Sequence, residues 1–223
     1  MEYIVLGAAL AILVFILNSF RPVRTAKVAD GLYAINCAFV NLYAYRNDGG
    51  IALFDAGLNS GMVRRGMKKL GLPPDEVRRI FLTHTDYDHT GGLSAFPNAE
   101  VFISATEEQM INGRTARRGF MRNSLSHPYK TLQDGETVKH GGVSVKLILT
   151  PGHTPGSAAY LMNEGILVTG DLLRLTRSGD IKPFFRMMNK DHRQNTHTVT
   201  AMRGVFKGSK YILTGHTGVH KKT

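Results

Sequence analysis

From residue 32 onward the chain alternates short apolar runs with turn-forming residues. Residues 32–35, 40–45 and 50–54 are predicted strands, and Asn47-Asp48-Gly49-Gly50 supplies the positive-φ positions of a tight hairpin between the last two. The period then changes. Met62, Val63, Met67 and Leu70 fall on one helical face over residues 60–70, with Ser60 as the expected N-cap and Gly71 as the terminating glycine. A short helical turn over 73–76 precedes a strand at 79–83, a short helix at 90–96, a strand at 100–104 and a helix at 105–111. Val138 and residues 143–149, 158–161 and 166–169 form strands of a second sheet; residues 192–206 are expected to be helical and 210–213 to form the last strand. Two sheet-rich halves separated by helices favour two packed mixed sheets with helices outside.

Composition refines this picture in three places. With 223 residues and 43% hydrophobic composition, the chain can bury one substantial core and carry an appendage. Cys37, the sole cysteine, excludes an internal disulfide and a cysteine-based zinc site, and its apolar surroundings predict a buried packing role. Residues 3–20 carry no charge and, as a helix, would be about 27 Å long, close to the hydrocarbon thickness of a bilayer. A cleaved signal peptide would show a basic start and small residues before a cut site; Met1-Glu2 and Leu17-Asn18-Ser19-Phe20 show neither. The expectation is a single-pass transmembrane anchor over residues 1–24 and a domain over 25–223. Arg21, Arg24 and Lys27 after the apolar run place that domain on the cytoplasmic side of a membrane.

The net charge is +11 and unevenly spread. Arg114, Arg117, Arg118, Arg122 and Lys130 occupy a stretch without acidic residues, and so do Arg193, Arg203, Lys207, Lys210, Lys221 and Lys222. Attraction to anionic lipid headgroups is the plainer reading of this charge. A basic rim that concentrates anionic substrate is the sharper one.

The candidate chemistry lies in Thr83-His84-Thr85-Asp86-Tyr87-Asp88-His89-Thr90-Gly91-Gly92. Four donors within six residues, at the end of an apolar strand, cannot all serve one cation but can divide between two. A paired-metal site of that kind lowers the pKa of bound water to about 7, which is hydrolase chemistry.

This stretch resembles the signature of the metallo-β-lactamase fold superfamily, H-x-H-x-D-H followed by Gly-Gly. Leu53-Phe54-Asp55-Ala56-Gly57, Thr150-Pro151-Gly152-His153, Val168-Thr169-Gly170-Asp171 and Leu213-Thr214-Gly215-His216 resemble the family's other motifs in the family's order. The departure is Asp86, which stands where the family usually has its second histidine. The resemblance implies an αββα sandwich with a binuclear centre at one edge. In it, His84, Asp86 and His153 would hold the first metal, Asp88, His89 and His216 the second, and Asp171 would bridge them. Asp55 would support the centre from beneath. It implies two divalent ions, zinc first, with Fe²⁺ or Mn²⁺ admitted because the Asp86 carboxylate is a harder donor. That carboxylate could instead weaken the first site and leave the second metal alone.

The implied activity is a metal-dependent hydrolase, in which a metal-bridging hydroxide held by Asp88 and Asp171 attacks an ester, thioester, lactone or phosphoester. His127, Tyr129 and Tyr160 are candidate donors to the developing oxyanion. The expected partner is a small, possibly anionic molecule. Nucleic acid is not expected, because the nuclease branches carry an inserted domain. A full glyoxalase-II arrangement is not expected either, because no substrate domain follows His216. Two alternatives remain open at this point: a di-iron redox protein related to flavodiiron oxygen reductases, and a non-catalytic membrane-tethered binding module.

Overall fold

The computed structural model describes residue 14 and residues 19–117, 119, 121–163 and 165–222. A first sheet holds seven strands in chain order: β1 (Ala26–Ala29), β2 (Leu32–Cys37), β3 (Val40–Asn47), β4 (Gly50–Phe54), β5 (Val77–Phe81), β6 (Glu100–Ser104) and β7 (Tyr129–Leu132). β1 to β4 run antiparallel, and β4 to β7 run parallel. The second sheet takes β8 (Thr137–His140), β9 (Val143–Leu149), β10 (Ala158–Met162), β11 (Ile166–Gly170), β14 (Tyr211–Thr214) and β15 (Val219–Lys221), in the order β15-β14-β11-β10-β9-β8. Its one parallel pair is β11 with β14. A small ribbon of β12 (Leu173–Leu175) and β13 (Ile181–Pro183) stands apart.

Strand alternation sorts the side chains into three apolar layers. Leu32, Tyr43, Phe54, Phe81 and Phe102 of the first sheet meet Val145, Leu147, Tyr160, Val168 and Leu213 of the second. Their rings stack closely, with Phe81 centroids 5.5 Å from Phe54, 5.2 Å from Phe102 and 5.3 Å from Tyr160. The opposite face of the first sheet (Ile35, Leu42, Leu53, Ile80) packs on Val63 and Met67 of helix α1 (Ser60–Lys69). The opposite face of the second sheet (Ala159, Leu167, Ile212) packs on Val199 of α4 (His192–Ala201) and Phe206 of α5 (Arg203–Gly208). This is the expected αββα sandwich. β11 has helix on one side and sheet on the other, and all five of its residues are buried.

Element boundaries differ from the expected ones by small offsets. Asn59, not Ser60, caps α1: its backbone is extended and its Oδ1 accepts from the Met62 N–H at 2.9 Å. Gly71 closes the helix at φ +65°, with its own N–H on Lys68 O and the Leu72 N–H on Met67 O. The helix expected over 90–96 starts earlier. It is α2 (Tyr87–Thr90) followed by a 3₁₀ turn at Leu93–Ala95, so the ligand-rich stretch itself makes the helical turn. The expected helix over 105–111 is a 3₁₀ turn running into α3 (Glu108–Ile111), and that over 192–206 breaks at Met202 between α4 and α5. Cys37 is buried as expected, and burial pushes its thiol up to about 11, which makes it unreactive.

The apolar segment expected to cross a membrane falls outside the described residues except at Val14, Ser19 and Phe20. Among the described residues no helix is long and apolar enough to cross a membrane. Its last residue, Phe20, is not in a helix but lies buried on the domain, where Phe39, Phe184 and Phe185 give its ring apolar partners.

Candidate metal centre

Five strand ends meet at one edge of the sandwich, and each delivers a polar residue there. Asp55 follows β4, the His84–His89 stretch follows β5, His153 lies between β9 and β10, Asp171 follows β11, and His216 follows β14. Crosslinks hold these loops in register. The Asn41 N–H donates to Gly215 O, the Ala56 N–H to His89 O, and the Ala158 N–H to Thr83 O. Tyr160 Oη adds a bond to Leu82 O at 2.9 Å. Gly215 is required by close approach, since a Cβ there would lie 2.6 Å from Asp171 Oδ1.

All seven side chains expected from the motifs converge. Asp86 Oδ2 lies 3.2 Å from His153 Nε2 and 3.6 Å from His84 Nε2. Asp88 Oδ2 lies 3.4 Å from His216 Nε2 and 3.7 Å from His89 Nε2. Asp171 sits between the two groups: Oδ1 is 3.5 Å from His89 Nε2, while Oδ2 is 3.5 Å from His153 Nε2 and 3.3 Å from His216 Nε2. His84–Asp86–His153 and Asp88–His89–His216 each present donor atoms within 4.8 Å of one another.

The other nitrogen of each ring is held from behind. His89 Nδ1 meets Asp55 Oδ2 at 2.8 Å, His216 Nδ1 meets Phe39 O at 2.7 Å, His84 Nδ1 meets Thr83 Oγ1 at 3.0 Å, and His153 Nδ1 meets Asn189 Oδ1 at 3.3 Å. An imidazole that donates through Nδ1 turns the Nε2 lone pair into the site, and that is the tautomer a metal requires. Phe20 stacks on His216 at 4.3 Å and Phe184 meets His153 edge-on at 5.3 Å, so the rings are backed by apolar surface.

Carboxylates and imidazoles face one another here and shift each other's protonation. Burial disfavours ionisation of Asp86, but bonds to His153 and His84 outweigh it and hold the carboxyl well below the usual range. Asp88 and Asp171 are also lowered: burial opposes this, and the facing imidazoles, among them His89 and His216, prevail. Despite complete burial, His89 is raised to about 9 by Asp55, Asp88 and Asp171, and His216 is raised well above its ordinary value by Asp171 and Asp88. His153 moves the other way, because burial outweighs its carboxylate neighbours.

These residues fit a metal. His84 Nε2, His89 Nε2 and Asp171 Oδ1 are buried polar atoms with no hydrogen-bond partner among the described residues, and all three face one space. Buried polar atoms are otherwise almost always paired. Imidazole nitrogen with carboxylate oxygen is a donor set suited to Zn²⁺, Fe²⁺ or Mn²⁺.

Residues 35–216 match the model of the Metallo-beta-lactamase superfamily. The chain belongs to this superfamily. It is 32% identical over 201 residues to the uncharacterized protein YobT of Bacillus subtilis, covering 78% of this chain and 81% of YobT. It is 35% identical over 112 residues to a hydroxyacylglutathione hydrolase of Synechococcus sp., covering 48% of this chain and 39% of that protein. Among solved structures, a B3 metallo-beta-lactamase described as having an active-site glutamic acid aligns with a TM-score of 0.70 at 22% identity, over 92% of this chain and 85% of that one. At that identity the likeness is one of fold.

Several residues of this superfamily member's site gave no signal in the sequence. Arg117, noted only as part of a basic run, donates through Nε to both oxygens of Asp86 at 2.9 and 2.8 Å. Its Nη2 lies 3.1 Å from His153 Nε2 and donates to Met188 O at 2.8 Å. Asn123 Nδ2 donates to the same carboxylate at 2.9 Å. Glu107, fully buried beneath the loops, accepts from Thr85 N, Thr85 Oγ1 and Thr154 Oγ1 at 2.8, 2.8 and 2.6 Å. Three expected oxyanion donors are engaged elsewhere: Tyr160 with Leu82 O, Tyr129 with Glu108, and His127 with Phe96 O and Pro128 O. Tyr160 points into the core between the sheets, since β10 alternation turns it away from the site.

Proposed function

We propose that this protein is a metal-dependent hydrolase that cleaves an acyl bond, a thioester or ester, in a small anionic molecule. The observation that carries this reading is the convergence of three unpaired buried donor atoms with four further imidazole and carboxylate groups at one sheet edge. His84, Asp86 and His153 would hold one divalent ion, Asp88, His89 and His216 a second, with Asp171 between them. Zinc is the ion best suited to this histidine-rich set, and Fe²⁺ or Mn²⁺ is compatible with its carboxylates. Such an ion supplies Lewis acidity, activating water and polarising the oxygen that gains charge.

The chain's own residues do the rest. Asp88 and Asp171, held ionised, accept hydrogen bonds from the attacking water and orient it. Asp55, Phe39 and Thr83 fix the imidazoles from behind. A cavity of about 460 Å³ opens beside Asp86 and Asp88, with Arg117 and Arg122 at its wall and Met121 and Met188 as apolar surface. Paired cationic and apolar lining suits a small acyl compound that carries a negative group.

The hydroxyacylglutathione hydrolase relative supports a thioester as the first substrate to try, and the relatives described as probable polyketide biosynthesis zinc-dependent hydrolases support zinc as the first ion to try. The chain spans only 39% of each of these proteins, so their substrates are a guide to class. The test is a panel of thioesters, esters, lactones and phosphodiesters, with metal content measured on the same sample. Turnover of thioester or ester by metal-loaded protein supports the reading, and turnover of phosphodiesters alone would replace its substrate class.

A further inference from the structure

We propose that Arg117 is a built-in occupant of the first cation position, so that the two metal sites load in sequence. On this proposal the Asp88–His89–His216 group takes an ion tightly, and the His84–Asp86–His153 group takes one only when the guanidinium withdraws. It rests on the metal-dependent reading above and goes beyond it by making the two sites unequal.

The donor atoms of the two groups are used differently. In the first group, Arg117 Nε bonds both Asp86 oxygens, Asn123 Nδ2 bonds Oδ1 as well, and Arg117 Nη2 faces the His153 Nε2 lone pair at 3.1 Å. Only His84 Nε2 is left without a hydrogen bond. Among the described residues no arginine or lysine bonds a donor of the second group, whose positive charge is carried by the exchangeable protons of His89 and His216. His89 Nε2 is unpaired, and Asp88 and His216 face each other and Asp171.

Charge separates the sites further. A guanidinium stays protonated at any working pH, so Arg117 neutralises Asp86 and repels a second cation brought within a few ångströms. The hold is incomplete, however: Arg117 Nη1 is buried without a hydrogen bond, and the Arg117 side chain is 11% exposed. Its backbone is tied down by the N–H bond to Met121 O, and Lys190 Nζ bonds Ala116 O next to it. The side chain, rather than the loop, is therefore the part that would move, and its withdrawal breaks the Nε bonds to Asp86 and the Nη2 bond to Met188 O. This also gives Asp86 a reason beyond metal hardness. A neutral histidine at that position would offer Arg117 no counter-charge, whereas the Asp86 carboxylate accepts the Arg117 Nε–H across both oxygens.

The experiment is isothermal titration of the full chain, stripped with chelator, with zinc sulfate, checked by elemental analysis after dialysis. The variants are Arg117→Met, which keeps the stem and removes the charge, and Arg117→Lys, which keeps a charge. Far-UV circular dichroism checks the folding of each. The expected result for wild type is one tight equivalent and a second at least about 100-fold weaker. Arg117→Met should take two equivalents within about tenfold of each other, and Arg117→Lys should behave like wild type. Two equally tight equivalents in wild type would overturn the proposal even if no variant folds. One equivalent in both wild type and Arg117→Met, or two tight equivalents in Arg117→Lys, would overturn it while leaving the metal-dependent reading standing. Failure of wild type to bind any zinc would overturn both.

Discussion

Asp55 Oδ2 lies 2.8 Å from His89 Nδ1, and Asp55 adopts a φ of +64° to reach it. Left-handed backbone at a non-glycine residue costs about 1–3 kcal/mol and persists only where its surroundings compensate. Here the Thr83 N–H and hydroxyl donate to the same carboxylate at 2.7 and 3.0 Å, so one strained residue fixes both His89 and the start of the ligand stretch. Asp55→Asn tolerates the left-handed backbone but places an amide NH₂ against donors. Zinc affinity should fall by about 10–100-fold with the fold retained. Competition against a chelator measures this, and unchanged affinity would remove Asp55 from its supporting role.

The raised His89 gives a pH dependence of definite sign. Its pKa near 9 in the metal-free folded protein, against an ordinary 6.5, contributes stability below pH 6.5 that is lost as pH rises through 9. The melting temperature of stripped protein should therefore fall over that window. Zinc must displace the same proton, so apparent affinity should climb over the same window by up to about tenfold per pH unit for each proton released. Titrations in buffers of different ionisation enthalpy count the protons, and an affinity flat between pH 6.5 and 9 would contradict the coupling.

Asp88→Ala and Asp171→Ala should each lower turnover at least about 100-fold, because each removes a donor that faces two or more of the imidazoles. Asp48→Asn, in the β3–β4 hairpin away from the site, serves as the control. Steady-state kinetics with metal analysis of each variant is the check. Equal turnover in Asp88→Ala and wild type would remove that residue from the reaction.

Glu107 acts through packing and hydrogen bonds rather than chemistry. Glu107→Ala would orphan the buried Thr85 N–H and remove the acceptor of the Thr85 and Thr154 hydroxyls, leaving these only their contacts with Asn123 Nδ2 and Ser157 Oγ. The expected loss is about 3 kcal/mol of unfolding free energy, read by urea denaturation. Gly156 crowds the same residue, its place for a Cβ lying 2.0 Å from the Glu107 backbone nitrogen, so that loop has little room to collapse around a truncation.

What the sequence disclosed follows from how local each signal is. Strands such as β3, β9 and β11 carry long apolar or alternating runs, and α1 carries a clean period with a cap and a Schellman glycine, so these were readable. The short strands β1, β7, β12, β13 and β15 carry too few buried residues to show a period, and pairing partners far along the chain define them. The seven converging donors were legible because each sits in a dense motif at a strand end. Arg117, Asn123 and Glu107 were not, because a lone residue acquires its partner only in the folded chain: Arg117 and Asn123 meet Asp86, and Glu107, from the turn after β6, meets Thr85 and Thr154. The meaning of Asp86 changed for that reason. Read along the chain it is a harder metal donor, and in space it is also the counter-ion of an arginine.

The most direct test of the central claim is acyl hydrolysis by one preparation in three states: as purified, stripped with chelator, and reloaded with zinc. The account predicts turnover that disappears on stripping, returns on reloading, and is absent in Asp88→Ala throughout. Undiminished turnover by stripped, metal-free protein would contradict it.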